Sequence, residues 1–91
     1  MKVRWTEPAA EQWEMAFTLI AEANPAAALK IAEHILDLTE MLALHPLAGK
    51  SGRVADTREF VIPNTQFILV YGLDAANDCI WVYAVYHAAR R

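Results

Sequence analysis

Asn24-Pro25 divides two amphipathic patterns with almost no chain between them, and nothing else in the 91 residues constrains the fold as tightly. Upstream, Ala9, Trp13, Ala16, Phe17 and Ile20 recur at three- and four-residue spacing. Glu11, Glu14 and Glu22 fall largely off that stripe, which makes a helix of roughly four turns. Downstream, Ala28, Ile31, Ala32, Ile35, Leu38 and Leu42 mark a second helix of about five turns. Asparagine caps the free N–H groups of the second helix and proline suits its first turn. Two helices joined this closely pack antiparallel, as a helical hairpin. Alanines at 16, 28 and 32 let them approach.

The flanks read as strands. Residues 1–5 place Val3 and Trp5 on one face before Thr6-Glu7-Pro8 opens the first helix. The segment His45–Asp56 holds Pro46, Gly49 and Gly52 and has no period, so it reads as a loop in which the two glycines supply positive-φ turn geometry. Three strands then follow at Thr57–Ile62, Gln66–Leu73 and Cys79–His87, separated by short turns that make antiparallel hairpins. The order β-α-α-β-β-β implies one two-layer α+β domain over residues 1–91, an antiparallel sheet packed on the helical hairpin. The last two strands are apolar on both faces, yet only one face can meet the helices. The other needs a loop or a partner to cover it. Trp81 and Tyr83 alternate with Ile80 and Val82, and parity alone leaves open which pair faces the helices.

Composition excludes several function classes. Net charge is −3 and pI about 5.5, against the basic balance of proteins that bind nucleic acid by its backbone charge. The charge is uneven: residues 1–48 carry −4 and residues 49–91 carry +1, with the cations at Lys50, Arg53, Arg58, Arg90 and Arg91. A compact phosphate site is therefore the most the chain could offer, with Lys50 and Arg53 as its candidates. No apolar run is long enough to span a membrane and no signal-peptide core follows Met1-Lys2. A single cysteine, Cys79, suits a reducing compartment, so a cytoplasmic protein is expected. Cys79, His34, His45 and His87 show no metal-ligand spacing, and no metal or cofactor is expected. Gly49-Lys50-Ser51-Gly52 resembles the end of a phosphate-binding loop, but it follows a helix and lacks the upstream glycine.

The β-α-α-β-β-β order carries a set of short motifs. These are Pro46-Leu47-Ala48-Gly49-Lys50-Ser51-Gly52-Arg53, Thr57-Arg58-Glu59, Tyr71, and Val85-Tyr86-His87-Ala88-Ala89-Arg90. Together they resemble the RelE/ParE toxin superfamily over essentially the whole chain. That resemblance implies the toxin of a bacterial type II toxin–antitoxin pair, of the plasmid-stabilisation kind, neutralised by a small antitoxin laid across the sheet and hairpin. Trp81, Tyr83 and Tyr86 are the expected antitoxin contacts. The superfamily divides by mechanism: RelE-like members cut messenger RNA on the ribosome, and ParE-like members poison DNA gyrase without being enzymes. If this chain cuts RNA, Arg58, His87 and Arg90 are the expected catalytic residues. Histidine titrates near neutrality and arginine clamps phosphate. Glu59 alternates to the face opposite Arg58. The departures favour the gyrase poison: the tail lacks the tyrosine many nucleases carry, and Gly72 follows Tyr71 where relatives commonly place a basic residue. A harmless module that binds a helical peptide would show the same apolar face.

Overall fold

The structure, a computed structural model, describes residues 1–90, and of Arg90 only the backbone. Strand β1 (Lys2–Trp5) leads into helices α1 (Glu7–Ala23) and α2 (Pro25–Leu44). Strands β2 (Lys50–Ser51), β3 (Arg58–Val61), β4 (Phe67–Asp74) and β5 (Cys79–His87) follow. Both helix starts are capped by side chains: Thr6 Oγ1 accepts from the Ala9 N–H (3.2 Å) and Asn24 Oδ1 from the Ala27 N–H (3.1 Å). Each cap stabilises by about 1 kcal/mol. Asn24 also ends α1, donating its backbone N–H to the Ile20 carbonyl at 2.8 Å, so one residue makes the whole connection.

The sheet runs β1-β5-β4-β3-β2 and is mixed, not wholly antiparallel. β1 pairs in parallel with β5, from Lys2 opposite Cys79 to Trp5 opposite Val82. Tight turns fix direction only between consecutive strands, and β1 reaches the sheet by way of two helices, so hairpin logic did not reach it. β2 is the second correction. Inside the expected loop, Lys50 and Ser51 pair with Glu59 and Arg58. Two residues are too short a strand to show a period.

The helices cover one face. Ile31, Ile35, Leu38 and Leu42 pack there against Ile62, Leu69, Tyr71, Ile80, Val82 and Val85. Ile80 and Val82 are thus the helix-facing pair, and Trp81 and Tyr83 lie on the opposite, outer face. Simple alternation then fails. Tyr71 pairs with Val82, and Val70 with Ala84, so Tyr83 is an extra residue in β5 without a partner in β4. This bulge shifts the parity by one. Val85 returns to the core at 4% exposure, and Tyr86 points to the outer face with Tyr83.

None of the glycines has positive φ; Asp56, Asn64 and Asp78 do. The positive φ expected of Gly49 and Gly52 is therefore corrected. Gly49 is required by close approach, because a Cβ there would sit 2.8 Å from both the Glu59 carbonyl and the Tyr71 hydroxyl. Gly72 has the same role on the outer face. Its missing side chain leaves room for the Tyr83 ring, 2.8 Å from where a Cβ would lie, and for the Asp56 carbonyl at 3.2 Å.

Candidate functional site

Gly72 lets the loop between β2 and β3 fold down onto the outer face. The loop is a tight turn: Gly52 N–H donates to the Thr57 carbonyl (2.8 Å), Thr57 N–H to the Val54 carbonyl (3.2 Å), and Asp56 takes φ 65°. Between this loop and the strands lies a groove of about 850 Å³. Its strand side is Glu59, Val70 and Ala84, bounded by Tyr83 and Tyr86, and its loop side is Arg53 to Thr57.

Among the described residues Glu59 is the one buried charged side chain, at 4% exposure. Its Oε2 accepts from the Arg53 backbone N–H (3.2 Å) and its Oε1 from the Tyr86 hydroxyl (3.3 Å). The carboxylate therefore ties β3 to the loop on one side and to β5 on the other. Hydrogen bonds of this charge-assisted kind are what make burying it tolerable. The result is a largely apolar groove with an acidic group and a phenol held in place, chemistry that suits protein side chains and N–H donors. A carboxylate is the wrong sign of group to cradle a phosphate.

The residues expected to cut RNA are not gathered here. Arg58 lies on the helix side of β3, opposite Tyr71, and its Nη1 donates to the carbonyls of Gly49 (2.7 Å) and Leu47 (3.3 Å). It clamps the loop after α2. His87 pairs with Phe67 at the far end of β5. Its ring meets the Phe67 ring edge-on at 5.2 Å, and its Nδ1 accepts from the Ala89 N–H at 3.1 Å. Arg58 and His87 are four residues apart along β4 and two strands apart across the sheet. Their Cα atoms are therefore roughly 16 Å apart. The Arg90 side chain lies outside the described residues.

The other candidates fall on the outer face. Arg53 lines the groove. Lys50, exposed on the edge strand, stands opposite Glu59 and so points to the same side. Tyr83 and Tyr86 bound the groove, while Trp81, two residues before Tyr83 in β5, is not among the residues that line it. Sequence reasoning missed Val70, Ala84 and the central place of Glu59. An acidic residue on the strand face opposite Arg58, where the neighbouring Phe60 and Val61 are apolar, was the available signal. Among the described residues no cluster of His, Cys, Asp or Glu could hold a metal, and no helix is long and apolar enough to cross a membrane.

A helical hairpin on one face of a five-stranded mixed sheet is the fold of a solved structure titled "Chromosomal ParDE TA system from P. aeruginosa". The two superimpose with a TM-score of 0.79 over 96% of this chain and 95% of that one, at 19% identity. The family described as ParE toxin of type II toxin-antitoxin system, parDE, matches residues 3–91, and the chain belongs to it. A protein of Sinorhizobium fredii named "Putative toxin Y4kP" is 30% identical over 81 residues, which is 89% of this chain and 84% of that protein.

Proposed function

We propose that this chain arrests growth by inhibiting DNA gyrase through protein–protein contact, and that a cognate antitoxin holds it inactive in the cytoplasm until released. The observation that carries the reading is the groove's chemistry: a buried carboxylate at its centre, with Arg58 and His87 on the other face and committed elsewhere. Cutting RNA through its 2′-hydroxyl requires a base, an acid and cations converging on one phosphate. Blocking a protein requires only a complementary surface, and Tyr83 and Tyr86 beside an apolar groove suit one. The antitoxin is proposed to cover that same outer face, with Trp81, Tyr83 and Tyr86 as its anchors. ParDE pairing in the P. aeruginosa structure supports a partner of this kind.

The test is pulse-labelling of DNA and protein synthesis after inducing the chain without its antitoxin. The reading expects DNA synthesis to stop first, and His87→Ala to remain toxic. If protein synthesis stops first, a ribosome-dependent messenger-RNA nuclease replaces it. If neither stops, the chain is an interaction module and no toxin.

A further inference from the structure

β5 outruns its neighbour. The last β1–β5 pair is Trp5 with Val82, so residues 83–87 have no strand beside them on that edge. Backbone groups there still need partners. The start of α1 supplies them. Thr6 N–H donates to the Val82 carbonyl (3.1 Å), and Thr6 Oγ1 donates to the Tyr83 carbonyl (3.4 Å). From the second turn of α1, Gln12 Oε1 accepts the Val85 N–H at 2.8 Å, across 73 residues of sequence.

The Gln12 contact depends on register. In a regular strand, every second residue presents its N–H and C=O to the same edge. After Val82 that residue would be Ala84. Because Tyr83 is bulged, it is Val85 instead, so the Gln12 bond exists only in the bulged register. Without the bulge, residues 84–87 would exchange faces. Val85 and His87 would turn to the outer side, and Tyr86 would leave Glu59 for the core.

We infer that Gln12 is a positioning residue for the groove: by accepting the Val85 N–H it locks the β5 bulge and so keeps Tyr86 on the outer face beside Tyr83. The functional half of this inference rests on the proposal that the groove is the partner surface. The structural half does not.

The test compares Gln12→Met, which keeps length and removes the acceptor, with Gln12→Glu, which keeps the acceptor, in the full chain by NMR. Gln12→Met is expected to speed Val85 amide exchange by roughly 10-fold, the loss of one net hydrogen bond. It is also expected to shift the Tyr86 ring signals and weaken growth arrest. Gln12→Glu is expected to restore all three. Val85 exchange and Tyr86 signals unchanged in Gln12→Met would overturn the inference, as would Gln12→Glu matching Gln12→Met. Altered register with undiminished growth arrest would overturn the positioning role and place the fault in the groove reading. A scalar coupling across the hydrogen bond, from Val85 nitrogen to the Gln12 side-chain carbonyl carbon, needs no variant. Its detection in the unmodified chain supports the lock, and its absence overturns it.

Discussion

Removing one oxygen atom from Tyr71 should unpin the segment that follows α2. The side chain is fully buried, at 0% exposure, on the helix side of β4. Its hydroxyl accepts the Gly49 N–H at 2.8 Å and donates to the Pro46 carbonyl at 2.9 Å. Both bonds reach more than 20 residues back along the chain, so they fasten a loop to a strand instead of closing a local turn. In Tyr71→Phe the Gly49 N–H stays buried with no acceptor, at a cost of about 1–3 kcal/mol. The Pro46 carbonyl is only partly buried and can turn to water, which adds roughly 0.5 kcal/mol. The expected loss is about 1.5–3.5 kcal/mol. In a domain of this size that lowers Tm by roughly 6–28 °C. Urea unfolding followed by far-UV circular dichroism should show the midpoint falling with the slope unchanged. Tyr83→Phe is the control: its ring is 46% exposed and its change should stay within about 0.5 kcal/mol. Equal, small losses for the two variants would refute the reasoning.

Other expectations follow from the turns. Thr65 N–H closes a turn on the Ile62 carbonyl at 3.1 Å with Asn64 at φ 64°, so Asn64→Gly should be neutral or slightly stabilising. Asn64→Val should cost about 1–2 kcal/mol by thermal melting. Gly49→Ala places a Cβ against the Glu59 carbonyl and the Tyr71 hydroxyl, and thermal melting should show it at least as damaging as Tyr71→Phe. The Asn77 side-chain amide holds the Asp74 carboxyl below its ordinary value of 3.8, against desolvation, which acts in the other direction. A lowered folded-state pKa stabilises fully above 3.8 and is lost as pH falls through the folded value. The stability gap between the unmodified chain and Asp74→Asn should thus be constant near neutrality and close in acid. A gap that persists at low pH rules the contact out as its source.

The helical hairpin was legible because its signals are local: a 3.6-residue stripe on each side of Asn24-Pro25 carries both caps and the turn. The hairpin β3-β4-β5 was legible for the same reason, through Pro63-Asn64 and the Asp74–Asp78 turn. What escaped depended on long-range pairing. The direction of β1 is set by its seat beside β5, and the two-residue β2 exists only because β3 is there to receive it. The site suffered most from parity. Strict alternation along β5 would separate Tyr86 from Tyr83, although the resemblance grouped them as antitoxin contacts, and only the bulge, held from α1, brings the two onto one face. Glu59 was read as pointing away from Arg58, which it does. That the carboxylate would become the anchor of a groove depends on Gly72 admitting the loop, a contact no spacing rule encodes.

The central claim is that the groove serves protein contact and the chain cuts no RNA. The direct measurement adds the purified chain, at matched concentrations, to DNA gyrase with relaxed plasmid and to translating ribosomes with messenger RNA. The account predicts that supercoiling fails, that the transcript stays whole, and that His87→Ala behaves as the unmodified chain. A cut transcript beside unimpaired supercoiling would contradict it.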